Sequence, residues 1–314
     1  MTDAPPSDLE PFLFDPSEFP PLDDIPAEPS LKQIERPVCT ANKAQLIMRY
    51  LKLFVFITHH GTYIDGFAGP QEERICDTWA AKLVIESEPK WMRHFHLCDK
   101  KRSQIKLLRQ MKATQPPCPY PRNIEIYEGS FNEKVDKVLK SGDITDKKAT
   151  FCLLDQRTFE CHWATVDKLA RFKTSGNKIE LFYFLANSWQ ERAFAAQKKT
   201  HVPAAWWGRD DWKKVREMSR DDRRDAFVDR FRSELGYKSV KAWPIYGREN
   251  GGALMYYMIH ATDHPEAPKL MSRAYHATVS PSGPFEQPGL FPEPKHPASD
   301  GQDEEVAMHI QQSG

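Results

Sequence analysis

The sequence predicts an α/β protein with a mostly parallel sheet covered by helices on both faces. Two observations predict it. Five short apolar, strand-like runs alternate with stretches of helical periodicity from Thr62 to Leu185, the pattern of β-α units whose parallel strands need crossover helices. A final pair of strand-like runs, Val240 to Tyr246 and Ala253 to His260, flanks the turn Arg248-Glu249-Asn250-Gly251-Gly252 and reads as a C-terminal β-hairpin at the sheet edge.

Taken in order, Ala41 to His59 carries Leu46, Ile47, Tyr50, Leu51, Phe54 and Val55 at helical spacing. Thr62 to Asp65 is a first short strand, closed by Gly66 and Gly69. A helix over Thr78 to Ser87 leads to a second strand, Arg93 to Cys98, ending on Asp99, and then to a helix over Arg102 to Lys112. Ile124 to Glu128 is the third strand, followed by Gly129 and a helix through Val135, Val138 and Leu139. Ala149 to Leu154 is continuously apolar, as expected of a strand buried on both faces. Cys161 to Phe172 is the next helix and Ile179 to Leu185 the fifth strand. Residues 187–236 are charged and mainly helical, an insert before the hairpin.

Around the domain, 38–282, lie two segments expected to be disordered. Residues 1–37 form an arm rich in Pro, Asp and Glu, and residues 283–314 a tail of Pro, Gly, Ser and charge. Such compositions bury too little apolar surface to offset their ordering entropy. Across all 314 residues, Lys+Arg and Asp+Glu both number 44. The resulting balance removes any whole-molecule field for nucleic acid or anionic membrane and leaves only local patches. The 6 cysteines include no C-x-x-C pair, so neither a zinc site nor a disulfide framework is indicated. No leader pattern or membrane-length apolar run is present, and the chain reads as cytoplasmic.

In an open parallel sheet, ligands bind outside the carboxyl ends of the strands. Those ends carry Asp65-Gly66-Phe67-Ala68-Gly69, then Asp99, then Glu128-Gly129-Ser130, then Asp155-Gln156-Arg157. Gly66 and Gly69 allow a tight turn and close backbone approach. Asp99 is placed to accept from ribose hydroxyls, although it follows Gly69 by more than the roughly 20 residues of the dinucleotide fingerprint. Ser130 and Phe131 are placed to line an adenine pocket. Taken singly, a glycine turn after a strand is ordinary structure, and Asp99 has the plain reading of a capping or ion-paired carboxylate at a strand end. Four strand ends in register together point to a nucleotide-type pocket, the layout of S-adenosylmethionine-dependent methyltransferases.

Several other features have plainer readings. His59-His60 sit at the wrong end of the first strand and lack a spaced carboxylate for a metal. Asp155 with Glu160 suits a metal-dependent nuclease, but two carboxylates five residues apart across a loop are common. Lys213, Lys214, Arg216, Arg220, Arg223 and Arg224 interleave with acids, as on a solvated, ion-paired helical face. Trp206, Trp207 and Trp212 suit stacking on a flipped base, but packing over the sheet is the plainer reading for at least two of them.

From about Val38 to about His276 the chain resembles the three-Cys-motif partner proteins (TcmP). The resemblance rests on Thr40-Ala41-Asn42-Lys43, on Tyr63-Ile64-Asp65-Gly66-Phe67-Ala68-Gly69-Pro70, and on Leu153-Leu154-Asp155 with Trp163. Trp207-Gly208-Arg209-Asp210-Asp211-Trp212, Tyr256-Tyr257-Met258-Ile259-His260 and Lys269-Leu270-Met271 add to it. It implies a methyltransferase-like fold, S-adenosylmethionine as cofactor, and a radical-S-adenosylmethionine-like partner that carries the three cysteines, with nucleic acid as an object of joint action. The chain departs from many relatives in two places. Gln71-Glu72-Glu73-Arg74 and Cys76-Asp77-Thr78-Trp79 replace a glycine-rich continuation, and Asp155-Gln156-Arg157-Thr158 replaces Asp-Pro-aromatic-Gly. The second change sets it apart from the DNA methyltransferase motif that grips a target amine. The expected roles are Asp99 for the ribose, the Asp65–Gly69 loop for the methionine end, Glu128 and Ser130 beside the base, and Asp155, Gln156 and Arg157 toward the acceptor. A non-catalytic scaffold, a nuclease and a nucleic-acid-binding module are the competing classes.

Overall fold

The structure is a computed structural model that describes residues 38, 41–70, 78–187, 189–248 and 251–279. The arm at 1–37 and the tail at 283–314 lie outside the described residues. The strands are β1 (Gly61–Asp65), β2 (Met92–Asp99), β3 (Asn123–Glu128), β4 (Thr150–Leu154), β5 (Glu180–Ala186), β6 (Ser239–Arg248) and β7 (Gly251–Thr262). They form one sheet in the order β3-β2-β1-β4-β5-β7-β6. β1 to β5 are mutually parallel, whereas β7 runs antiparallel to both β5 and β6. The antiparallel strand therefore lies one place in from the edge, and β6, the first strand of the hairpin, is outermost. This is a Rossmann-like sheet of the methyltransferase type.

Side-chain alternation divides the core in two. On β4, Phe151 and Leu153 face one layer while Cys152 and Leu154 face the other; on β5, Phe182 and Phe184 oppose Leu181, Tyr183 and Leu185. Both sets are buried, which explains why these strands read as unbroken apolar runs. The first face is covered by α1 (Lys43–Thr58), α2 (Ala80–Glu86), α3 (Arg102–Ala113) and α10 (Ala267–Val279). Its centre is aromatic: Tyr63 stacks on Phe151 at 6.1 Å, and Phe151 meets the edge of Phe182 at 4.7 Å.

The second face is covered by α4 (Phe131–Leu139), α5 (Trp163–Arg171) and the insert. The insert is four helices: α6 (Gln190–Ala196), α7 (His201–Trp207), α8 (Trp212–Glu217) and α9 (Arg220–Ser233). Trp206 and Trp207 are buried packing residues, and the Arg230 guanidinium lies between the rings of Trp163 and Trp207 at 3.8 and 4.1 Å. Half of the basic run is held by protein partners. Arg220 pairs with Glu191, Arg224 with Asp221 and Asp225, and buried Arg223 donates to the carbonyls of Val215 and Met218. At the other end of the first strand His60 accepts from the Ala149 amide, a structural contact. No helix among the described residues is long and apolar enough to cross a membrane.

Candidate functional site

The chain moves outward from β1 to β2 and β3, then returns to β4 on the other side of β1. The crevice at this reversal is where doubly wound sheets bind ligands. A cleft of 380 Å³ lies there, with Gly66 and Phe67 from the end of β1 and Asp155 and Arg157 from the end of β4 on its walls. Asp99, Ser130 and Gly69 also face it. The volume falls within the roughly 300–1,000 Å³ usual for small-molecule sites.

The loop after β1 is fixed by its neighbours. The Gly66 amide donates to the Leu153 carbonyl at 3.0 Å, and the Ala68 amide to the Cys98 carbonyl at 2.9 Å. Trp79 Nε1 donates to the Ala68 carbonyl. A Cβ on Gly66 would stand 2.7 Å from the Phe131 ring, and one on Gly69 2.6 Å from Asp99 Oδ2. Glycine is required at both positions because the loop lies directly against the ends of β2 and α4.

Asp65 lies beneath this loop rather than on the cleft. It is 2% exposed, accepting from Tyr63 Oη at 2.9 Å and from the Phe67 amide at 3.0 Å. Burial pushes its carboxyl up to about 7, against the opposing pull of those two donors. Asp99 faces the cleft, yet its carboxylate already has protein partners: Oδ2 accepts from the Gly69 amide at 3.0 Å and Oδ1 from the Lys101 amide at 2.8 Å. Each oxygen retains a second lone pair for a ligand hydroxyl.

At the end of β3, Gly129 adopts φ 132° and Ser130 follows it onto the cleft wall. Glu128 points away and pairs with Arg102 and Arg109 on the surface. Asn132, which sequence reasoning passed over, ties two helix starts together. Its Oδ1 accepts from the His162 amide and the Thr165 hydroxyl at 2.9 and 2.7 Å, while its Nδ2 donates to the Glu160 carbonyl at 2.8 Å. A polar residue in the first turn after Gly-Ser was the available signal. Phe131, Phe159 and Val202 supply the apolar part of the wall.

At the end of β4, Asp155 is clamped by Lys43, whose Nζ reaches Oδ1 and Oδ2 at 2.9 and 2.7 Å. Both side chains are nearly buried, at 4% and 10% exposure. The ammonium lies 5.1 Å from the ring centres of both Phe184 and Tyr256. Sequence reasoning placed Lys43 only in a helix-entry motif; no local pattern announces a partner so far along the chain. Gln156 is buried and accepts from the Cys161 amide at 2.8 Å, so it shapes the loop and does not face the cleft. Arg157 does face it. Glu160 is held by Lys100 and by the Arg157 amide. Burial raises its carboxyl, but the Lys100 and Arg157 contacts outweigh burial and leave it below the usual range. Among the described residues, no three His, Cys, Asp or Glu side chains converge on a common metal position.

Of the residues the sequence singled out, Gly66, Phe67, Gly69, Asp99, Ser130, Asp155 and Arg157 thus meet around one cleft, and Asp65, Ala68, Glu128 and Gln156 stand outside it. The four exceptions share a cause: a strand end supplies positions that face the cleft, the core or the outer surface, and proximity in sequence does not distinguish them.

No family model and no curated protein matches the chain. Among solved structures it is similar to a DUF519-family protein from Legionella pneumophila, at 11% identity and TM-score 0.44, covering 77% of this chain and 94% of that one. A DUF574-family protein from Streptomyces avermitilis aligns at 14% identity and TM-score 0.37, over 70% and 82% of the two chains. A candidate methyltransferase from Bacillus halodurans aligns at 10% and 0.31, over 69% and 98%. With every TM-score below 0.5, the fold assignment rests instead on strand order and register.

Proposed function

We propose that this chain binds S-adenosylmethionine in the cleft at the β1/β4 reversal and transfers its methyl group to a polar acceptor. The observation that carries the reading is the cleft's position, straddling the topological switch point with a glycine loop on one side and a clamped carboxylate on the other. The residues present suit such a molecule. Phe131, Phe159 and Val202 offer an apolar wall to a base, Ser130 a hydroxyl at its edge, and Asp99 free lone pairs for a ribose.

When bound, the cofactor supplies an activated methyl group on a sulfonium. The chain's part is positioning. Lys43 fixes the Asp155 carboxylate as a rigid hydrogen-bond acceptor, able to orient the donor hydrogen of an incoming nucleophile. Arg157, on the same loop, offers a cation to an anionic flank of that acceptor. The nuclease alternative finds little support, because Asp155 and Glu160 are paired with separate lysines, Lys43 and Lys100, on the oxygens a shared metal would need.

The family resemblance adds a partner to the proposal: a three-Cys, radical-S-adenosylmethionine-like protein, with nucleic acid as the shared object. The test is incubation of the full chain, alone and with such a partner, with methyl-labelled S-adenosylmethionine and single-stranded or duplex nucleic acid. Label incorporated into nucleic acid supports the reading. Cofactor binding without transfer under every condition would instead favour a scaffold.

A further inference from the structure

A second cavity, of 250 Å³, opens at the opposite edge of the sheet, beneath the amino ends of β4 and β5. One wall is apolar: Phe54 and Ile57 from the last turns of α1, and Leu270 from α10. Ile57 is 47% exposed, the exposed large hydrophobic side chain of the described surface. Four lysines, Lys147, Lys148, Lys173 and Lys178, converge on the rim from the segments leading into β4 and β5.

The acids at this cavity are already committed. Glu180, on its floor, accepts from the Tyr50 hydroxyl, from Thr262 Oγ1 at 2.9 Å, and faces His260 Nε2 at 2.9 Å. Asp146 accepts from the Thr174 amide and hydroxyl at 2.9 and 2.8 Å, and from the Ser175 hydroxyl at 3.1 Å. Lys178 is paired with Asp263, but Lys173 donates only to the neutral carbonyl of Lys148 among its hydrogen bonds in the described residues. With Lys147, Lys148, Lys173 and Lys178 set against Asp146, Glu180 and Asp263, the rim is cationic in excess, next to an apolar wall.

From this arrangement we infer a second ligand site, independent of the cleft, for a small amphipathic anion: one aromatic ring or short acyl body bearing a phosphate or carboxylate. The size decides the class. At 250 Å³ the cavity is just below the roughly 300–1,000 Å³ of drug-sized sites, room for one ring and one anionic group. Lysine ammoniums suit such an anion as point charges. Burial pushes the Lys173 ammonium down to about 8, with Asp146 acting the other way. An anion beside it would favour the charged form.

The experiment titrates phenyl phosphate into the full chain by calorimetry, alongside inorganic phosphate and phenol as its two halves. Saturable binding of phenyl phosphate, at least about tenfold tighter than either half, is expected. Lys148→Gln with Lys173→Gln should weaken it at least about tenfold, and so should Ile57→Glu, which places a charge on the exposed apolar wall and does not depend on the lysines folding correctly. Saturating S-adenosylhomocysteine should leave it unchanged, which separates this site from the cleft. No phenyl phosphate binding at about 10 mM, or binding indifferent to both variants, or competition by S-adenosylhomocysteine would overturn the inference.

Discussion

Lys43 and Asp155 change what the end of β4 means. An acid at that position invites two readings, a group that orients an acceptor or a cap for α5; the structure adds a third, the counter-ion of a buried lysine. Removing one member of a buried pair leaves the other charge uncompensated, at a cost of about 3–5 kcal/mol. Asp155→Asn should therefore lower stability by about that amount in urea denaturation, and Lys43→Met combined with Asp155→Leu should lose much less. A cost below about 1 kcal/mol for Asp155→Asn would show that the pair is not a buried clamp. Asp99 carries a similar correction. A cleft-facing ribose acid should be removable with little effect on stability, but two backbone amides depend on its carboxylate. Asp99→Ala should thus cost about 1–3 kcal/mol and weaken cofactor binding as the loop loosens, measured by thermal melting and calorimetry. An unshifted melting temperature would contradict that assignment. At Asp65 the consequence is pH dependence. Its folded carboxyl titrates near 7, above its unfolded value of 3.8, so the folded state holds the proton more tightly. Stability from this group is full below the unfolded value and is lost as pH rises toward 7. Asp65→Asn should flatten that decline between pH 4 and 7 in chemical denaturation; an unchanged slope would place the titration elsewhere.

At the scale of elements, existence and type followed closely from period. β4 and β5 were legible because burial on both faces leaves residues 151–154 and 181–186 without a charged residue, and α1 because its apolar residues recur at helical spacing. The hairpin was legible from its turn, but not the order of its strands: pairing β7 with β5 is a tertiary choice that local sequence leaves open. α10 was missed as an element. Leu270, Met271, Ala274 and Tyr275 lie on its buried side and pack it beside α1, but the preceding Pro-rich stretch and the charged tail conceal that period. The insert was read as one helical region. It breaks where Gly208 takes φ 76° after α7, its amide donating to the Ala204 carbonyl. A Cβ there would stand 2.5 Å from Trp163 Cβ. Gly208→Ala should cost more than about 1 kcal/mol, since it combines a left-handed backbone with a close contact between insert and α5. A melting curve like that of the unaltered chain would mean the insert docks less tightly than its contacts indicate.

At the scale of the whole molecule, the sheet brings glycine loop, acids and aromatic wall from residues far apart in sequence to one crevice. That convergence was legible because the carboxyl ends of parallel strands share an edge, whichever helices separate them. What was not legible was orientation at each strand end. Asp65, Ala68, Glu128 and Gln156 occupy the right segments but face the core or the outer surface, and Lys43 arrives from a helix that precedes every strand. The central claim is that the crevice holds S-adenosylmethionine, and titration calorimetry of the full chain with that compound tests it most directly. The account predicts saturable one-to-one binding with a dissociation constant between about 1 μM and about 1 mM, competed by S-adenosylhomocysteine and weakened by Asp99→Ala. A folded chain that shows no binding at about 1 mM, or binding indifferent to Asp99→Ala, would contradict it.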